Sequence, residues 1–262
     1  MYVAPPPVLA ASEALWSFLR DDLRSEGFAD VPDRLSAHPD LDHVWLHPDL
    51  LLAQTCGYPY VQHLRGRVRL VATPAYLHQG CDGPRMCSFV IVPKASPIGT
   101  LEDLRGKRAA INGPDSNSGT NLFRATIAPL SLDARFFASV METGSHVASI
   151  DAVASLQADA AAIDCITYGN VGRFEPERLA NVRILSTTTS TPGLPLVTRA
   201  GASDAEIAAL RRSLKRSIEE PGLADARNAL SLKDFCIVPD EDYEQVAELA
   251  RFAHRLGYPT LA

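Results

Sequence analysis

Asn112-Gly113-Pro114-Asp115-Ser116-Asn117-Ser118-Gly119-Thr120 lies between a short apolar run, Ala109-Ala110-Ile111, and the segment Asn121-Leu122-Phe123-Arg124-Ala125-Thr126-Ile127. Gly113 and Pro114 stop the apolar run, which reads as a buried strand. Leu122, Phe123 and Ile127 recur at helical spacing, so the stretch ends where a helix begins. The first amides of a helix have no intrahelical acceptor, and they sit at the positive end of its dipole. With the rotatable hydroxyls of Ser116, Ser118 and Thr120 beside them, such a turn suits a tetrahedral oxyanion. The plainer alternative is that Asp115, Ser116 or Ser118 only caps the helix.

Outward from this stretch, Gly144-Ser145-His146 opens a second helical run over 147–153, with Ile150 and Val153 on one face. Ala158-Asp159-Ala160-Ala161-Ala162-Ile163-Asp164-Cys165 then reads as a turn, a strand of very small residues and an acid at its carboxyl end. Small strand residues let helices pack closely on both faces of a central strand. Ligands of open α/β sheets bind beyond the carboxyl ends of strands. The loop 112–120, His146 and Asp164 all map there. Two roles are open for Asp164: accepting a hydrogen bond from a protonated ligand oxygen, or capping the helix that starts near Cys165.

The remainder alternates in the same way. Residues 9–23 form an amphipathic helix with Leu15, Phe18, Leu19 and Leu23 inward, ended by Gly27. Residues 50–55 form a buried strand running into Cys56-Gly57-Tyr58-Pro59-Tyr60, which makes Tyr58 a candidate at a strand's carboxyl end. Residues 68–73, 88–92 and 194–199 are strands, and 203–218 and 240–256 are helices, the last capped by Asp240. Alternation of this kind implies mainly parallel sheets.

Four pieces, 101–108, 114–119, 144–146 and 160–164, match in order and spacing the phosphate, phosphite and phosphonate substrate-binding proteins of ABC transporters. The chain resembles this PhnD-like group. The resemblance implies an α/β, two-lobed fold of the type II periplasmic-binding-protein kind. Each lobe would be a mainly parallel sheet flanked by helices, with the cleft between them. Lobe one would comprise 1–85 plus 198–262, and lobe two the inserted residues 86–197. The ligand residues it implies are Ser116, Asn117, Ser118, Gly119, Thr120, His146 and Asp164, with Tyr2 at the mouth of the cleft. Asn117 departs from the family, which usually has a small hydroxyl residue there. The resemblance further implies a small oxyanion of the phosphate or phosphonate class as ligand, an ABC permease and ATPase as partners of an exported chain, and no cofactor.

Composition bounds these readings. The chain has 262 residues, 46% of them hydrophobic, enough for one large or two medium α/β domains with a real core. A net charge of -6 argues against a general nucleic-acid binder, whereas an anion site depends on local donors. No apolar run is long enough to span a membrane. Residues 1–7 carry neither a basic nor an apolar leader region, so periplasmic and cytoplasmic locations both stay open, with a native start expected upstream. The five cysteines include one close pair, Cys81 and Cys87, whose redox state is open. Cysteine and histidine spacings give no metal pattern. The alternative function is a cytoplasmic sensor or enzyme on the same fold, with Asp164 and His146 as acid and base and Cys56 or Cys165 as nucleophile.

Overall fold

A computed structural model describes residues 2–36, 41–131 and 134–262. The chain forms two compact units. The first comprises Met1–Leu77, Asp82–Pro84 and Pro192–Asp240, and the second His78–Cys81, Arg85–Thr191 and Glu241–Ala262.

In the first unit four strands pair in the order Ala53–Gln54, Leu196–Arg199, Val68–Tyr76, Leu232–Cys236, and every pairing is antiparallel. The expected parallel sheet is therefore corrected, and chain connectivity gives the reason. Val68–Tyr76 runs out of the unit at its carboxyl end, and Leu196–Arg199 re-enters soon after residue 192, so the two neighbours must run in opposite directions. The helices Pro6–Ser25 and Asp204–Glu219 also belong to this unit. The first buries Val8, Ala11, Leu15, Trp16, Leu19 and Leu23, while Phe18 is only half-buried. A capping box closes the start of the second, with Ser203 accepting from the Glu206 amide and Glu206 accepting from the Ser203 amide.

The second unit holds a five-stranded sheet in the order Ser139–Glu142, Arg108–Ile111, Ala160–Asp164, Ser88–Pro93, Val182–Thr187. Arg108–Ile111 pairs in parallel with both its neighbours, and Ser88–Pro93 pairs antiparallel with both of its own. This sheet is mixed, again because the entering and leaving strands lie side by side. The small-residue strand is the central one, buried along its whole length. Val90, Val92, Ala109, Phe123, Ile127, Phe136, Phe137, Ala160 and Ala162 build the core around it.

Residues 241–262 lie in this second unit, not in the first as the sequence implies. Burial explains the difference: Ala253 and Tyr258 are fully buried in the second core, and Tyr258 donates its hydroxyl to Ala262 at 2.7 Å. Arg124 adds a hydrogen bond to the Pro259 carbonyl at 2.7 Å. Asp240 does not cap the last helix, which runs Glu244–Arg255 after a short turn. Its carboxylate instead accepts from the Tyr60 hydroxyl and, at 3.0 Å, from Arg65 Nε, all three within the first unit.

Replacing Tyr258 by Ala empties a fully buried site and removes the Ala262 anchor, so a loss of about 3–5 kcal/mol is expected. Urea unfolding of the Tyr258→Ala variant measures it; a loss under about 1 kcal/mol would put the C-terminal segment outside the second core.

Candidate functional site

Strand Arg108–Ile111 ends at Asn112, and the chain turns through Gly113 and Pro114 to Ser116. Ser116 is extended, and its hydroxyl oxygen accepts the Gly119 amide at 3.0 Å. The turn that follows, Asn117–Asn121, is π-helical, closed by the Asn121 amide on the Ser116 carbonyl at 3.0 Å, and it runs on into the helix Leu122–Ile127. Single π turns inside helices gather at functional sites. Here the widened turn brings Gly119 against two side chains: a Cβ on Gly119 would lie 1.8 Å from Asn112 Oδ1 and 3.1 Å from His146 Cε1. Only glycine fits this approach.

His146 is the first residue of the helix His146–Ala154, which Ser145 caps by accepting the Ala148 amide. The imidazole Nε2 lies 2.8 Å from Ser118 Oγ and 3.3 Å from Asp164 Oδ2. Asp164 is 2% exposed. It caps the helix Cys165–Phe174, its Oδ1 accepting the Thr167 amide at 2.7 Å and its Oδ2 the Thr167 hydroxyl. The capping alternative for Asp164 is thus the one seen, and the same carboxylate also faces His146.

The protonation of this cluster follows from its contacts. Burial lowers the His146 pKa, against the opposing pull of the Asp164 charge and the Ala162 backbone, and so favours the neutral ring. A carboxylate only accepts, so the tautomer that serves Asp164 carries its proton on Nε2. With the proton there, Ser118 Oγ at 2.8 Å accepts from the same N–H and keeps its own hydroxyl proton to donate elsewhere. Among the described residues, His146 Nδ1 and Asn112 Oδ1 are buried without a hydrogen-bond partner.

The other turn residues are committed to structure. Thr120 donates its hydroxyl to the Gly113 carbonyl at 2.6 Å. Asn117 donates to Thr191 Oγ1 at 3.2 Å and accepts from Asn121 Nδ2 at 3.0 Å. Ser88 donates to the Ser118 carbonyl at 2.9 Å, and the Ser88 amide donates to Thr188 Oγ1 at 2.9 Å. Sequence reasoning missed Asn112, Ser88, Thr188 and Thr191. The hydroxyl-rich run Ser186-Thr187-Thr188-Thr189-Ser190-Thr191 was a readable signal for the last two.

All the turn residues, His146 and Asp164 thus meet in the second unit. Tyr2 and Tyr58 belong to the first. There Tyr2 packs edge-on to Tyr76, ring centres 5.7 Å apart, and lines an apolar cavity of about 20 Å³ with Leu15, Leu19 and Leu232. Tyr58 sits half-buried in the short helical turn Gly57–Pro59.

Serine, histidine and aspartate together invite comparison with a nucleophilic triad, but the geometry differs in a decisive way. A triad aspartate holds the ring nitrogen opposite the one facing serine. Here both partners share Nε2, so the ring cannot relay a proton from Ser118 toward Asp164. Cys165 is equally unsuited as a nucleophile toward a bound ligand: it is fully buried, and its sulfur faces the Cys81 thiol, not the turn. Among the described residues no group of His, Cys, Asp and Glu could hold a metal ion.

A family profile described as ABC transporter, phosphonate, periplasmic substrate-binding protein matches residues 49–243. No curated protein matches the sequence. Among solved structures, a binding-protein component of an ABC phosphonate transporter from Pseudomonas aeruginosa is similar with a TM-score of 0.76 and 20% identity, over 93% of this chain and 82% of that one. PhnD1 from Prochlorococcus marinus in complex with methylphosphonate gives 0.76 and 16%, over 95% and 94%. A Xanthomonas citri protein bound to ATP gives 0.70 and 19%, over 95% of each chain. At these identities the structures establish a shared type II binding-protein fold.

Two outcomes test the geometry. Gly119→Ala should destabilise the chain, and Asn112→Ala in the same chain should restore part of the loss, because the nearest clash is with the Asn112 side chain. Chemical unfolding of the single and double variants measures this coupling, and strictly additive losses would contradict it. His146 should titrate below its ordinary 6.5, as followed by NMR of its ring. Its contribution to stability is then full above about pH 6.5 and is lost as pH falls through the lowered value. Burial also lowers the His78 pKa and adds a slope of the same sign. Melts of the parent against His146→Gln isolate the His146 share, and parallel pH profiles would refute it.

Proposed function

Because the chain belongs to the family of periplasmic substrate-binding proteins of phosphonate ABC transporters, we propose that its Asn117–Asn121 turn binds a phosphonate or related small oxyanion through the Ser118 hydroxyl and the leading amides of the turn. One observation carries this reading: Ser118 Oγ lies 2.8 Å from His146 Nε2, and with the ring proton on Nε2 the serine keeps its own proton for an anion. Anion oxygens are acceptors, and a hydroxyl already polarised by a donor gives its own proton more strongly. Ser116 contributes a hydroxyl at the same helix start.

In this reading His146 and Asp164 never touch the ligand. Asp164 holds the ring tautomer, and the ring orients Ser118. The site therefore runs no chemistry, in keeping with both partners sharing one ring nitrogen. The proposed partners are an ABC permease and ATPase, and the proposed compartment is the periplasm of the family. Among the described residues no helix is long and apolar enough to cross a membrane.

Calorimetry against methylphosphonate, phosphate, phosphite, sulfate and ATP, the last because the Xanthomonas citri neighbour holds it, tests the assignment. Ser118→Ala should weaken the best ligand by about 1.5–3 kcal/mol, which is roughly ten- to 150-fold. Stability should change little, since Asp164 still accepts the Nε2 proton. Asp164→Asn should lower both the melting temperature and the affinity. Unchanged affinity of Ser118→Ala for every anion would sink the site, and an Asp164→Asn variant that only melts earlier would reduce Asp164 to a helix cap.

A further inference from the structure

Three cysteines that lie apart in sequence converge in the second unit. Cys81 Sγ lies 3.5 Å from Cys165 Sγ. Cys87 is opposite Cys165 across the sheet, one step beyond the Ser88–Asp164 pair, and its carbonyl accepts the Cys165 amide at 3.1 Å. Gly80 closes the cluster: it has φ +89°, and a Cβ there would lie 2.8 Å from both Cys165 Cβ and Cys87 Sγ. No disulfide joins Cys81, Cys87 and Cys165.

We propose that Cys81 and Cys165 are a redox pair that forms a disulfide when the chain meets a low-molecular-weight disulfide such as oxidised glutathione. Cys81 is half-buried, whereas Cys87 and Cys165 are buried, so the oxidant reaches Cys81 first. The Cys81 thiol gives up its proton to solvent, and the thiolate attacks the small disulfide. One thiolate leaves, and Cys81 is left as a mixed disulfide. Cys165, deprotonated in turn, attacks the Cys81 sulfur, forms the S–S bond and expels the second thiolate. Two cysteine thiols are oxidised, one small disulfide is reduced to two thiols, and no other reactant is needed.

Both the Cys81 and the Cys87 thiols lie against Cys165, and accessibility selects Cys81 as the partner: it is half-buried, whereas Cys87 is buried. The Cys81 sulfur lies 3.5 Å from Cys165 Sγ, and a rotamer adjustment covers the remainder to a bond of ~2.05 Å. The bond would tie residues 78–81 to the first turn of the helix that Asp164 caps. The inference rests on the thiols alone and is independent of the ligand reading.

The full-length chain is incubated with oxidised glutathione, digested without reductant and mapped by mass spectrometry. The expected product is a Cys81–Cys165 linked peptide two hydrogens lighter than its parts. The melting temperature should rise by about 5–10 °C, reversed by reductant, as expected for closing a long loop. Cys81→Ser, a change at a half-buried position, should abolish the rise, and Cys87→Ser should keep the linked peptide. A Cys81–Cys87 link, glutathione retained on Cys81, or three unmodified thiols after prolonged oxidation would each overturn the proposal.

Discussion

The shared nitrogen of His146 is the contact on which the arrangement around it depends. Ser118 at 2.8 Å and Asp164 at 3.3 Å both face Nε2. Three separate pieces of chain are joined there: the π turn after the strand Arg108–Ile111, the start of the helix His146–Ala154, and the end of the central strand. None of these could shift alone without leaving a buried polar group unpaired, which costs about 1–3 kcal/mol for each group. The double duty of Asp164 makes the coupling tighter still. One carboxylate starts a helix through Thr167 and fixes a tautomer through His146, so helix placement and hydroxyl orientation are set by the same group.

Small residues make this approach sterically feasible. Ala160, Ala161 and Ala162 are buried in the middle of the sheet, and Gly119 leaves space that any Cβ would take from Asn112 and His146. The sequence displays this directly, as an alanine strand ending in Asp and a glycine within a hydroxyl-rich turn. The helix start, the central strand and the meeting of loop, His146 and Asp164 could therefore be read from local pattern. Each depends on residues close together in the chain, where spacing and turn chemistry speak plainly.

What could not be read depends on the path of the chain between units. Strand direction was misjudged because alternation of strands and helices implies parallel pairing only when the chain stays in one sheet. Val68–Tyr76 and Leu196–Arg199 are neighbours separated by more than a hundred residues of excursion, and nothing in either segment records that return. The placement of Tyr258 is hidden for the same reason: an aromatic near a terminus looks alike in either core. Asp240 is a good cap by type and position, yet Tyr60 and Arg65, some 180 and 175 residues away, take its carboxylate. Thr120 and Asn117 likewise belong to a hydroxyl- and amide-rich turn, but their hydrogen bonds are spent holding its shape.

In the proposed site the residues Asn117–Asn121 carry no charged side chain, which says how an anion would be recognised. Arg124, on the helix that continues the turn, donates to the Pro259 carbonyl and to Asn121 Oδ1, so its guanidinium serves the fold. His146 is held toward its neutral form by burial. In the proposed site the donors left to a ligand are hydroxyls and amides, dipoles whose directions the surrounding hydrogen bonds set. A cationic site would attract any anion and would weaken with salt. Dipoles held by a buried network instead reward the anion whose oxygens match their directions, and a net charge of -6 on the whole chain then mainly slows encounter without deciding affinity. Buried neutral donors also avoid the desolvation cost of a buried, unpaired cation in the empty site. A chain that must hold its site intact both with and without an anion is better served by donors whose burial costs little when no charge is there to meet them.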